Sequence, residues 1–446
     1  MWRRRGGDGG RRSPRQPLLA RLAAVAAAGA LALAALAGCA ASNAGPAGPR
    51  FVTPPLVRYS AVLWPVPLEL VGAEPGARLR LATRLSTGHG DWESAATYTV
   101  PASGVLDLEQ ARPQLAPFTE ADSAGLFWSL RGPRLGAEAA ARQWMRDSLA
   151  VTLTASSAGR VVASRRFELD GLAAGLSVRT LYTRDLRPAI DPRLPRQTHE
   201  DVPLGTFYSA ASLDRPQTPV VLMFDDAAEG VSAAFTAPLL AQLGASVLSI
   251  PVAAASDGIR STGIISANTV SAVFDWLDHR PDILHDRVFV YGTGAAEQLA
   301  VWAAARFPSS VHGLFVASGT PALLCLPAAQ VAPAFEDADG LRCLTRSGTV
   351  VADAIPSVDG IRGPVAIGCG EDDQVLPNAC DWQRALAATR EPRPGDAKIY
   401  APGAGHAISV PPGLPIDLPA AGGQPTEQAR VAFWNAVGRA VLGAAL

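Results

Sequence analysis

The order of apolar and polar positions changes character once along this chain. From about Pro54 to Leu169 the pattern is one of short strands separated by turns. Ala77-Arg-Leu-Arg-Leu-Ala-Thr-Arg-Leu85 alternates apolar and polar residues, as a strand buried on one face does. Val151 to Thr154 and Arg160 to Leu169 flank Ser156-Ser-Ala-Gly159, which predicts a hairpin, and Ala137 to Asp147 predicts one helix. Together they predict an immunoglobulin-like β-sandwich of roughly a hundred residues. Residues 171–203 hold several Pro and Arg with little periodicity, the mark of a connection. From Pro219 onward, apolar strands alternate with amphipathic helices. The strands are Pro219 to Phe224, Ser246 to Pro251, Val288 to Tyr291, Gly313 to Ala317, Pro364 to Gly368 and Lys398 to Tyr400. Helices are expected near Ala233 to Leu243, Ala267 to Leu277, Ala295 to Arg306, Ala379 to Ala388 and Thr426 to Leu442. That alternation predicts an α/β unit with a parallel sheet covered on both faces.

Composition bounds this picture without redirecting it. A chain of 446 residues that is 48% hydrophobic and 18% charged can bury two cores. The formal charge of −1 and the absence of a basic stripe give no electrostatic case for a nucleic-acid partner. Lys398 is the only lysine, which fits a GC-rich coding bias and carries no functional meaning.

The first forty residues read as an address. Arg3, Arg4, Arg5, Arg11, Arg12 and Arg15 make a basic segment, and Leu22 to Leu36 is an uncharged Ala/Leu-rich run too short for a comfortable membrane span. The run ends in Leu36-Ala37-Gly38-Cys39, which looks like a bacterial lipobox, with Ala40 to Gly48 as a flexible tether behind it. The alternative is an ordinary signal peptide followed by a chance cysteine. The expectation is a signal peptide over 1–38, a lipidated Cys39, a tether over 39–53, and a protein outside the cytoplasm held on the bacterial cell membrane by its lipid. Export permits disulfides among Cys325, Cys343, Cys369 and Cys380. Three connectivities exist, and local spacing favours Cys325 with Cys343 and Cys369 with Cys380. There is no CxxC or Cys/His cluster, so neither a metal nor another cofactor is expected.

Three loops at strand ends carry the candidate chemistry, because open α/β sheets place their sites there. Ile367-Gly-Cys-Gly-Glu-Asp-Asp-Gln-Val-Leu-Pro377 is a strand running into Gly-x-x-Asp, the way an α/β-hydrolase presents the acid of a Ser-His-Asp triad, here Asp373. Tyr400-Ala-Pro-Gly-Ala-Gly-His406 is a strand running into a Gly-rich loop that ends in the expected base, with Asp373 placed to fix its tautomer. Arg287-Val-Phe-Val-Tyr-Gly-Thr-Gly-Ala-Ala296 has the strand–turn–helix context of a nucleophile elbow, normally Gly-x-Ser-x-Gly. Aligning Gly292 with the first glycine puts Gly294 at the nucleophile position. A one-residue slip puts Thr293 there, with a hydroxyl to offer.

At these residues the chain resembles the acyl-CoA thioesterase and bile-acid-CoA:amino-acid N-acyltransferase family. Gly90-Asp-Trp-Glu-Ser94 and Gly125-Leu-Phe-Trp-Ser129, each expected on a strand, look like signatures of that family's N-terminal β-sandwich. Gly370-Glu-Asp-Asp-Gln374, Pro402-Gly-Ala-Gly-His406 and Gly422-Gly-Gln-Pro-Thr-Glu-Gln-Ala429 resemble its C-terminal half. The resemblance implies a sandwich over 54–170, a connection over 171–203 and an α/β-hydrolase domain over 204–446. It also implies cleavage or transfer of acyl groups, an acyl ester or thioester as the small-molecule partner, and acid and base roles for Asp373 and His406. Two departures stand out. The nucleophile is replaced, and the family's glycine-rich oxyanion loop is here Phe224-Asp-Asp-Ala-Ala-Glu-Gly230. Asp225 and Asp226 either repel a developing oxyanion, lend it their backbone donors, or cap the next helix. Use of Asp225, Asp226 and His406 as metal ligands matches no known spacing. Two functions follow: a membrane-anchored acyl ester or thioester hydrolase, or a catalytically inactive binding lipoprotein on the same scaffold.

Overall fold

Why the middle of the chain folds as it does is visible in one strand. In the strand Arg78–Thr87, Leu79, Leu81, Thr83 and Leu85 are buried, while Arg78, Arg80 and Arg84 between them are exposed. A period of two with one apolar face is what a sheet needs to pack on a second sheet. The computed structural model describes residues 48–52, 68–169, 176–186, 203–212, 215–225, 233–251, 267–322, 354–415 and 423–443. Cys39, Asp226, Cys325 and Cys343 lie outside them, as do the expected signal peptide and most of the expected tether.

Seven strands build the antiparallel part: β1 Arg50–Val52, β2 Glu69–Val71, β3 Arg78–Thr87, β4 Gly90–Thr99, β5 Val105–Asp107, β6 Leu149–Ser157 and β7 Arg160–Leu169. They form two antiparallel sheets, ordered β1-β2-β5 and β4-β3-β6-β7. β1 lies inside the expected tether, because Phe51 is buried and pairs with Leu70. The β6–β7 hairpin turns on Ala158 and Gly159, both with positive φ (47° and 80°), the two-residue turn whose twist suits a hairpin. The second family-like string is not a strand. Gly125–Trp128 is a single helical turn, and a Cβ on Gly125 would sit 2.5 Å from the Phe118 ring. Its Ser129 hydroxyl is hydrogen-bonded to that of Ser94 at 2.5 Å, and Glu93 and Arg131 exchange backbone bonds. The two signature strings are therefore one packing unit.

Eight further strands make one mixed sheet: β8 Ser177–Tyr182, β9 Pro203–Ser209, β10 Thr218–Asp225, β11 Ser246–Pro251, β12 Ile283–Thr293, β13 Gly313–Ala317, β14 Val365–Gly370 and β15 Ala397–Ala401. Their spatial order is β8-β9-β11-β10-β12-β13-β14-β15, with β9 antiparallel to both neighbours and β10 to β15 parallel. Counted from β8, this is the 1-2-4-3-5-6-7-8 order of an α/β-hydrolase. The stretch expected as a connection thus supplies β8 and the first residue of β9. β8 shows no periodicity because it is an edge strand on which only Leu181 is buried.

Val221, Met223, Phe289 and Tyr291 point to one face of this sheet, and Val220, Leu222, Phe224 and Val290 to the other. The first face belongs to the same apolar core as the sandwich, together with the helices Ala233–Leu243 and Gln424–Leu442. The second packs the helices Ala267–Asp278, Glu297–Arg306 and Ala379–Ala388.

A buried clamp launches β14. Arg390 places Nε and Nη2 at 2.9 and 3.0 Å from the two carboxylate oxygens of Asp396 and donates to the carbonyls of Val358, Ile361 and Gly363. Asp396 also accepts the N–H of Val365, the first residue of β14, at 2.9 Å. Burial pushes the Asp396 carboxyl up, but the bonds from Arg390, Val365 and Arg393 outweigh it and hold the group below the ordinary carboxylate range. A depressed folded pKa stabilises the protein above the unfolded value of about 3.9 and loses that contribution as pH falls through the lower folded value. Asp396→Asn is therefore expected to be less stable at neutral pH, by about 3–5 kcal/mol for stranding a buried arginine. Its urea midpoint should also fall less steeply than the parent's as the pH drops below about 5.

Candidate active site

The carboxyl ends of β12, β14 and β15 bring the expected site residues to one edge of the sheet. Asp373 lies three residues beyond β14, and His406 five beyond β15. Their side chains meet in a 2.7 Å contact between His406 Nδ1 and Asp373 Oδ2, and both residues are buried. The other carboxylate oxygen of Asp373 accepts the N–H groups of Val375 and Leu376 at 2.8 and 2.9 Å. Those two donors hold the carboxylate and free its second oxygen to orient the imidazole.

The two loops are joined along their backbones as well. Glu371 N donates to Ala401 O, and Asp372 N to Ala404 O. A Cβ on Gly370 would come within 2.2 Å of Gly405 O, so only glycine lets the histidine loop pass this close. Cys369, the penultimate residue of β14, is disulfide-bonded to Cys380 at the start of the helix Ala379–Ala388, with Cα atoms 5.3 Å apart. The bridge closes the loop that presents Asp373. Cys325, Cys343 and Cys39 lie outside the described residues.

The helix Gln424–Leu442 holds the histidine loop from its other side. Thr426 Oγ1 accepts Gly405 N at 2.8 Å, Arg430 Nε donates to Ala407 O at 3.0 Å, and Trp434 Nε1 donates to Ser409 O at 3.0 Å. Arg430 pairs with Glu427, whose Oε1 accepts Gly413 N at 2.6 Å. Burial raises the Glu427 carboxyl and lowers the Arg430 guanidinium, and each opposes the shift in the other. This polar set was not legible as a site in sequence. Gln424, Thr426 and Glu427 fall in the family-like string Gly422–Ala429, but nothing in sequence separates them from polar residues that face water.

At the elbow, Thr293 is the last residue of β12 and is extended (φ −134°, ψ 158°). Gly294 has φ +58° and turns the chain, through a 3₁₀ turn over Gly294–Ala296, into the helix Glu297–Arg306. A left-handed residue between strand and helix is the tip of such an elbow. Gly292 is held to glycine by the helix, since a Cβ there would lie 2.6 Å from Ala300 Cβ. By strand alternation Thr293 shares a face with Tyr291, whose hydroxyl lies 3.5 Å from Ser409 O in the histidine loop. Asp225 ends β10, and its Oδ1 accepts Ala233 N at 2.8 Å, at the start of the helix Ala233–Leu243. It caps that helix. Asp226 lies outside the described residues.

Arg430→Ala would leave Glu427 buried without its cation and free the carbonyl of Ala407. A loss of about 3–5 kcal/mol is expected in urea denaturation. A loss under 1 kcal/mol would mean that the pair is solvated and does not support the loop.

Residues 64–180 match the family model described as "Acyl-CoA thioester hydrolase/BAAT N-terminal region". Among solved structures the chain is similar to carboxyl esterase 2 from the mycorrhizal fungus Tuber melanosporum, at 14% identity over 61% of this chain and 88% of that one, with a TM-score of 0.38. It is also similar to a bacterial heroin esterase (16% identity, 60% and 85% coverage, TM-score 0.37). A third is the esterase LipW from Mycobacterium marinum (17%, 53% and 76%, 0.34). No curated protein matches it.

Proposed function

We propose that this chain, whose N-terminal region belongs to the acyl-CoA thioester hydrolase/BAAT family, binds an acyl ester or thioester at the carboxyl edge of its α/β-hydrolase sheet without forming an acyl-enzyme. The observation that carries the reading is Gly294 at φ +58°, one position beyond an extended Thr293. A serine or cysteine at that tip would attack the acyl carbonyl while His406 took its proton and Asp373 stabilised the imidazolium. Glycine has no hydroxyl or thiol to give. By analogy with serine proteases, the loss of a triad nucleophile costs on the order of 10⁶ in kcat. Asp373 and His406 are then left as an oriented donor or acceptor beside a bound acyl group.

The protein acts, on this reading, outside the cytoplasm, anchored through a lipidated Cys39. The support is the small-residue run before Cys39 and the Gly/Ala/Ser-rich segment after it. Coenzyme A thioesters are made inside the cell, so the ligand is a lipid or peptide-linked acyl ester. Mass spectrometry of the membrane fraction should find a diacylglyceryl cysteine at position 39. An unmodified Cys39 in secreted protein would remove the anchor from the proposal.

A second reading makes Thr293 the nucleophile. It is favoured by the face that Thr293 shares with Tyr291, on the side where the histidine loop packs. Acyl thioester hydrolysis by purified protein separates the two. The binding reading expects trace turnover, no change in Thr293→Ala, and a gain in Gly294→Ser. Serine in the left-handed region costs about 1–2 kcal/mol, so that variant should be somewhat less stable. Robust turnover abolished by Thr293→Ala would establish the second reading and overturn the first.

A further inference from the structure

Three residues in the first two turns of the C-terminal helix touch two parts of the molecule far apart in sequence. Gln424, buried, uses Oε1 to accept Thr119 N at 2.8 Å, Glu120 N at 3.1 Å and the Thr119 hydroxyl at 3.2 Å, all from the loop that follows β5 in the sandwich. Two residues later Thr426, also buried, accepts the N–H of Gly405, the residue immediately before His406. One turn on, Arg430 donates to the carbonyl of Ala407, the residue immediately after it. The residues on both sides of His406 are thus tied to a helix whose entry is tied to the sandwich.

We infer that the N-terminal sandwich sets the position of the His406 imidazole through Gln424, Thr426 and Arg430, which act as positioning residues. This rests on the reading of Asp373 and His406 as the acid and base pair of the site. The direction of the effect follows from packing. On one side the histidine loop already lies against β14, where a Cβ on Gly370 would come within 2.2 Å of Gly405 O and 2.3 Å of Ala404 O. Close-packed backbone cannot yield that way. A loop released by Thr426 can move only away from β14, and so away from Asp373. Release also leaves the N–H of Gly405 without its acceptor, which drives the loop to find another. Gln424 contributes differently. Three donors converge on one oxygen, so the first turn of the helix is registered against residues 119 and 120 and does not slide along the histidine loop.

The test is the ¹H and ¹⁵N resonances of the His406 ring in the full chain, which report the Nδ1–H bond to Asp373 directly and need no turnover. Compared with the parent, Thr426→Val should move the Nδ1–H resonance upfield and broaden it, and Thr426→Ser should restore it. Gln424→Ala, which touches only the sandwich loop, should shift it in the same direction by a smaller amount while the thermal midpoint shows the chain still folded. Parent-like ring resonances in both Thr426→Val and Gln424→Ala would overturn the inference. Should Thr426→Val not fold, Gln424→Ala alone decides, and an unshifted ring there sinks it. Strong hydrolytic activity in the parent would refute the proposed function and leave this inference standing, because the resting ring reports geometry and not turnover.

Discussion

A parallel sheet covered on both faces has no surface of its own on which to do chemistry. Helices take up the faces, so side chains that must meet a ligand are left to the loops at the strand ends. Everything distinctive about this molecule follows from how those loops are held. β12, β13, β14 and β15 are parallel neighbours. Their carboxyl ends are therefore adjacent, and Asp373 and His406 meet although 33 residues separate them. The pairing is closed by short backbone bonds and a glycine contact, which leaves the imidazole little freedom.

The same edge explains why the contact between Asp373 and His406 does not depend on the residue at the elbow tip. The elbow demands a left-handed residue between strand and helix, a conformation that costs an ordinary residue about 1–2 kcal/mol and glycine almost nothing. Gly294 meets that demand without strain. Asp373 and His406 depend on other contacts: the Arg390–Asp396 clamp below β14, the Cys369–Cys380 bridge around the Asp373 loop, and the C-terminal helix beside the histidine. None of these passes through residue 294, so the Asp373–His406 contact is held independently of the elbow.

The sandwich joins this arrangement by packing and not by contributing a reactive group. Trp92 and Ser94 from the first signature string and Phe127 and Ser129 from the second are buried, and they bring β4 and the helical turn at Gly125 into register. Both strings fall within residues 64–180, which match the family model, and together they specify one core contact. Their outward consequence is the placing of residues 119 and 120 against Gln424.

Much of this molecule follows from the order of its residues alone. Period-two alternation in β3 and continuous apolar runs in β10 to β14 specify which strands are half-buried and which are buried on both faces, because burial of side chains is a local demand repeated along the chain. Glycine placement marks the elbow and the histidine loop for the same reason, since backbone strain is local. Edge strand β8 escaped notice because an edge buries too little to impose a period, and β1 because three residues around Phe51 carry too few positions to show one. Gly125–Trp128 reads as a strand because four residues are too few to show a helical period, and the turn forms where Phe118 closes over Gly125. The largest gap is the polar set of Gln424, Thr426, Glu427 and Arg430. A polar residue on a helix looks solvated in sequence. Only the tertiary structure decides whether water or a buried carbonyl will satisfy it, because its partners come from segments as much as 305 residues away.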